Sequence, residues 1–250
     1  MANSPSGDSA TDRIVRILET FTSDRTVQTV AQIGRRAGLP SATAYRQVGA
    51  LVEAGLLERD EEQRVRLGMR LWELALRGSD ALRLRQAALP SMERVQAEIR
   101  EHTQLAVLEQ DEALFLERLS HPQAGANITR IAGRLPLHAS SSGLVLLAFS
   151  PRERQDHVLA APLARVAPDT ITDAATLRRT LAEVRRSGFV VAAGSIEAVS
   201  TGVAVPVRGA DGEVIAALSV VLPREAPTDA AIAALLRAAR EIRARLATSR

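Results

Sequence analysis

Apolar positions in the first seventy residues recur with a helical period. Ile14, Ile17, Leu18 and Phe21 fall on one face, the spacing of an amphipathic helix, with Thr11 or Asp12 available as its cap. Val30, Ile33 and Ala37 repeat the pattern behind Thr29, a suitable N-cap, and Gly38 followed by Pro40 ends the segment. A further helix, capped by Ser41 and ending at Gly55, turns Ala44, Val48 and Leu51 inward. It leaves Ala42, Arg46 and Gly49 on the opposite face, flanked by Thr43 and Tyr45. The period then shortens to two. Leu56–Arg59 and Arg64–Leu67 flank an acidic turn at Asp60–Glu62, the pattern of a β-hairpin. Helix, helix-turn-helix and hairpin in that order predict a winged helix over residues 11–67, behind a small, polar and disordered stretch at 1–10.

The next apolar residues suit a shorter role. Leu71, Trp72 and Leu74, then Leu82 after the Gly78-Ser79 break, predict a helical linker over 68–89. These side chains exceed what a short helix leaves in water, so a second copy of the chain is expected against them. From Pro90, the face Met92, Val95 and Ile99 opens a second domain over 90–250. Strands are expected at 103–108, 114–119, 128–131, 189–193, 203–207 and 214–222. Asp211-Gly212 marks a hairpin between the last two. Helices are expected over 144–149, after Pro151, from Asp173 to about Ser187, and from a cap at Thr228 to about Leu246. Strands surrounded by helices with an antiparallel meander make this an α+β two-domain chain.

Composition narrows the function. The chain holds no Cys, which removes disulfides and thiolate metal sites. The four histidines, at 102, 121, 138 and 157, lack an i, i+4 pair, so neither a metal nor another cofactor is expected. No apolar run reaches a membrane span and the N-terminus has no signal-peptide core, so a cytoplasmic protein without a membrane partner is expected. Every basic residue is Arg, which raises the isoelectric point although the net charge is only +3. Residues 1–67 carry nine arginines against nine acids, so any affinity for double-stranded DNA comes from a patch. The candidate patch is Arg46, with Ser41, Thr43 and Tyr45 on the same helix, Arg35 before the turn, and Arg64 and Arg66 on the hairpin. Short side chains let such a helix enter a major groove, where Arg reaches a guanine edge or a phosphate. Two such modules in a dimer address a pseudo-palindromic operator.

At this point the chain resembles the IclR family of bacterial transcriptional regulators. The resemblance is carried by Ala37-Gly38-Leu39-Pro40 with Tyr45-Arg46, by Leu51-Val52-Glu53-Ala54-Gly55-Leu56-Leu57-Glu58-Arg59, by residues 133–148 (GRLPLHASSSGLVLLA), and by 202–207 with 211–220. It spans roughly residues 11–247. It implies a winged helix, a linker that pairs subunits, and a C-terminal GAF-like domain that senses a small molecule. It also implies homodimers that commonly pair into tetramers. Ser141, Ser142 and Ser219 fall on positions that line the family's pocket. The chain departs from the family at Gly143-Leu144, where Gly-Lys is usual, at Ala192, where an acid is frequent, and at Gly202, where some members have Cys.

The effector is expected at the start of the helix that begins near Ser141, where unpaired N–H groups and partial positive charge attract carboxylates. Ser140, Ser141 and Ser142 add hydroxyls, and Gly143 adds room for close approach. Leu135, Ala192, Glu197, Gly202 and Ser219 complete the pocket. Small residues at 192 and 202 favour an organic acid with an apolar or aromatic body. Two other readings compete. An enzyme using Ser140–Ser142 with His138 lacks the G-x-S-x-G elbow. A DNA-binding oligomer without a ligand fits the polar positions lost from the pocket.

Overall fold

The computed structural model describes residues 9–124 and 128–248. The N-terminal stretch expected to be disordered lies outside the described residues up to position 8. Two compact units divide the chain, Met1–Asp80 and Ala81–Arg250.

The first unit contains α1 (Ala10–Glu19), α2 (Val30–Arg36), α3 (Ser41–Glu53), β1 (Leu57–Arg59), β2 (Val65–Leu67) and α4 (Met69–Leu76). Its core is the periodic set: Ile17, Val30, Ile33, Ala37, Ala44, Val48 and Leu51, closed by Leu57 and Val65 of the antiparallel hairpin. Thr29 caps α2 in a capping box with Gln32. At the other end Gly38 takes φ +63°, with Leu39 N–H donating to Gly34 O and Gly38 N–H to Arg35 O, the Schellman closure. Two expected caps are corrected. Ser9, not Thr11 or Asp12, caps α1 in a box with Asp12. Pro40 occupies the N-cap of α3 without a side-chain bond, so Ser41 is its first helical residue and stands exposed.

The second unit is built on a six-stranded antiparallel sheet of order β5-β4-β3-β8-β7-β6, formed by β3 (His102–Glu109), β4 (Glu112–Leu119), β5 (Arg134–Pro136), β6 (Val190–Ala193), β7 (Ser200–Arg208) and β8 (Val214–Pro223). Helices α5 (Asp80–Ile99) and α9 (Asp229–Thr248) cover one face. Helices α6 (Ser141–Ala148), α7 (Arg152–Ala160) and α8 (Ala174–Ser187) cover the other. Strand alternation assigns the side chains. Ala216, Leu218, Val220 and Leu222 of β8 join the α5/α9 core, and Ala217 joins the α6 core. Ser219, two residues on from Ala217, faces the α6 side as well and bonds to it. This sheet between helices agrees with the α+β class and is compatible with the GAF-like expectation.

Two elements differ from the pattern reading. Helix α5 runs unbroken through Pro90, where two segments were expected. A proline inside a helix forfeits the bond to the carbonyl four residues back and costs about 3 kcal/mol. Burial of Leu84, Ala88, Met92 and Val95 along one stripe offsets that. The strand expected at 128–131 is not formed: Gly133 N–H donates to Arg130 O in a turn, and Ala132 N–H reaches Phe115 O. The chain joins β4 through Ala132 and Gly133, which bond to Phe115, and forms a strand only at β5. Ile128 and Ile131 remain exposed, so their spacing imitates a strand without burial to support one.

Candidate DNA-recognition surface and effector pocket

The recognition surface follows from how closely α2 and α3 cross. A Cβ at Gly34 would lie 2.9 Å from the Cβ of Ala44, so these two small residues let the helices meet and thrust the outer face of α3 into solvent. Tyr45 and Arg46 are exposed there and Thr43 is half-buried. Neither Arg46 nor Arg35 has an ion-pair or hydrogen-bond partner among the described residues. Arg36 beside them bonds to Gln28. The hairpin arginines are engaged. Arg64 pairs with Asp60 at 2.8 Å and Glu62 at 2.9 Å, and Arg66 with Glu58 at 3.1 Å. The Met69 N–H, with Arg66 adding to it, holds Glu58 below the usual carboxylate range. Exposed pairs of this kind contribute little to stability because solvent screens them, so phosphates can displace the acids. The expected DNA-binding set thus splits into free side chains on α2 and α3 and neutralised ones on the hairpin.

The pocket forms where α6 begins. Every residue of this helix is buried, so its first turn is held by packing against the sheet. Ser140 accepts the Gly143 N–H at 3.0 Å and is the N-cap. The N–H groups of Ser141 and Ser142 then have no acceptor within the helix. A cavity of about 410 Å³, counting its open mouth, lies against this turn. Leu135, Ser140, Ser141, Ser142, Ala192, Glu197 and Gly202 all line it.

Gly143 and Ser219 stand outside the lining. A Cβ at Gly143 would lie 2.6 Å from the Cα and the O of Leu137, so the close approach that this glycine permits is to its own chain. Ser219 is fully buried and accepts the Ser142 hydroxyl at 2.9 Å, so only Ser142 stands between it and the cavity. Gly202 abuts Ser141, its hypothetical Cβ only 2.6 Å from Ser141 Oγ.

Sequence reasoning missed Gln104, Phe115, Thr129, Ser195 and Ser200, which also line the cavity. Gln104 had one signal, a polar residue at an inward position of an apolar strand. The loop between β6 and β7 is held by neighbours: Thr170 Oγ1 donates to Ser195 O at 2.6 Å, and Arg224 pairs with Asp169 at 2.7 Å while donating to Ala198 O at 3.0 Å. His138 Nε2 lies 2.9 Å from Ala164 O. With His138 so placed and Ser140 serving as a cap, these two do not form a nucleophile–base pair. Among the described residues no cluster of His, Asp or Glu could hold a metal ion, and no helix is long and apolar enough to cross a membrane.

Comparison with known proteins gives the family of both units. Residues 10–61 match the IclR helix-turn-helix domain, and residues 78–246 match the bacterial transcriptional regulator IclR C-terminal domain. The chain is 59% identical to an IclR homolog from Microbacterium hydrocarbonoxydans whose crystal structure is complexed with 4-hydroxybenzoate, with a TM-score of 0.93 over 96% of this chain and 100% of that one. It is 31% identical over 210 residues to the p-hydroxybenzoate hydroxylase transcriptional activator of Acinetobacter baylyi, covering 81% of this chain and 77% of that protein. It is 28% identical over 193 residues to the transcriptional regulator KipR of Bacillus subtilis, covering 77% of each. With a helix-turn-helix that exposes an unpaired arginine and a C-terminal domain matched over nearly its full length, the chain belongs to the IclR family of DNA-binding bacterial transcriptional regulators and is not an enzyme.

Proposed function

We propose that this regulator changes its hold on a pseudo-palindromic operator when a hydroxylated aromatic acid binds in the α6 pocket. The carrying observation is a cavity with a helix N-terminus at one wall and Phe115, Leu135 and Val221 at others. Unpaired N–H groups suit a carboxylate, and the apolar walls suit a ring. A relative at 59% identity complexed with 4-hydroxybenzoate supports the same class. On the DNA side, Arg46 reads a guanine, Thr43 and Tyr45 contact thymine methyls or phosphates, Ser41 and Arg35 hold phosphates, and Arg64 and Arg66 follow once DNA displaces their acids. Isothermal titration of the purified chain with 4-hydroxybenzoate, and gel shifts on DNA flanking its own gene, test this. Saturable binding and an operator affinity altered about 5- to 150-fold are expected. Tight binding of a two-carbon acid in place of the aromatic one would overturn the assignment. An effector that binds without changing operator affinity would favour an assembly role for the domain.

The regulator acts as a homodimer in this reading. Helix α4 buries none of its residues, and Met69, Trp72 and Leu74 are 62%, 61% and 48% exposed. An isolated eight-residue helix is marginal in water, so a second copy against α4 supplies the burial. Leu71 on the same helix and Leu82 on α5 are half-buried and extend the apolar surface of their own units. Sedimentation of Trp72→Arg with Leu74→Glu is expected to give a monomer where the unmodified chain gives a dimer. A double variant that stays dimeric would move the interface elsewhere.

A further inference from the structure

Gln104 is a polar side chain in the buried stretch of β3. It is 2% exposed and lines the cavity, and its Nε2 has no hydrogen-bond partner among the described residues. Two of the α6 hydroxyls beside it are engaged. Ser142 donates to Ser219, and Ser140 accepts from Gly143. An amide buried without a partner costs stability that an apolar residue of the same shape would not, and folding alone gives no reason to keep it.

We propose that Gln104 reads the effector's carboxylate. This rests on the aromatic-acid reading above and assigns the end of the pocket at which the acid sits. In the sheet, Gln104 lies directly across from Ser219, and adjacent strands run about 4.8 Å apart. Ser219 in turn carries the Ser142 hydroxyl, so the Gln104 amide stands beside the first turn of α6. The free donors gathered there are the Gln104 Nε2–H, the N–H groups of Ser141 and Ser142, and the Ser141 hydroxyl. A carboxylate offers two oxygens and accepts only, which matches that set. Glu197 is the one acid among the described lining residues. It repels a carboxylate and accepts from a phenol, so the ring lies with its acid toward Gln104 and its hydroxyl toward Glu197. The Gln104 Nε2–H and the two backbone N–H groups, which cannot accept, thereby make the pocket select a free acid over its amide, whose NH2 would meet donors.

Titration calorimetry on the full chain tests this, using 4-hydroxybenzoate and 4-hydroxybenzamide against the unmodified protein, Gln104→Met and Gln104→Glu. Gln104→Met is expected to raise the Kd for the acid about 10- to 100-fold, with a ligand-free melting temperature unchanged or higher. Gln104→Glu is expected to invert the preference, so that the amide binds more tightly than the acid. If both variants bind the acid as the unmodified chain does, this inference fails and the effector reading stands. A lower ligand-free melting temperature for Gln104→Met would make Gln104 a structural residue and also overturn it. An unmodified chain that binds neither compound overturns the effector reading and this inference together.

Discussion

Gly143→Ala is expected to destabilise the second unit by about 1–3 kcal/mol or more. The added Cβ would lie 2.6 Å from two backbone atoms of Leu137 and 2.7 Å from Ser140 Oγ. The serine can rotate, but the Leu137 backbone leads directly into Ala139 and Ser140, both of which donate to Pro136 O. Relief therefore means moving the start of α6 away from the segment that precedes it. At about 2–4 °C per kcal/mol for a domain of this size, the melting transition of the sensor unit should fall by several degrees. Because the displaced turn carries Ser140, Ser141 and Ser142, effector affinity should fall with it. Scanning calorimetry that leaves this transition where it was would show that the turn adapts and that Gly143 is not a packing requirement.

Arg46→Ala is expected to weaken specific operator binding by about 1–3 kcal/mol, roughly 5- to 150-fold, if the guanidinium spans the O6 and N7 of a guanine. The motivating observation is that Arg46 is exposed on the outer face of α3 with no partner among the described residues, so no intramolecular pair is broken when it meets DNA. Arg35→Ala provides the contrast. A phosphate contact should weaken binding to all sequences alike and lower the salt dependence by about one counterion. Arg64 and Arg66 should matter less than either, because each gives up an acidic neighbour before it can meet a phosphate. Gel shifts on the operator and on a sequence changed at one base pair separate these cases. Equal loss on both DNAs for Arg46→Ala would reassign it to the backbone.

The helix-turn-helix was legible in its core, its turn and the Thr29 cap, while the caps of α1 and α3 were not. Its core is set by apolar side chains at helical spacing, its first turn by Thr29 with Gln32, and its bend by a glycine in the left-handed region. All of these are contacts between near neighbours, governed by local sterics and the helix repeat. Five of the six sheet strands were legible for the same reason; β5 was missed, being three residues long, and Ile128 and Ile131 had the spacing of a strand without the burial.

The pocket was only half legible. Ser140, Ser141 and Ser142 announced themselves as polar residues at the start of a buried helix. Gln104, Phe115, Ser195 and Ser200 come to that helix from three other parts of the chain, through the order and register of strands far apart in sequence. The tertiary structure alone paired Ser142 with Ser219, turned Gly143 toward Leu137, set acids against the hairpin arginines and left Gln104 unpaired. Local periodicity tells which face of an element is buried. Which residues meet across the sheet depends on long-range pairing, which the local pattern of a single chain does not encode.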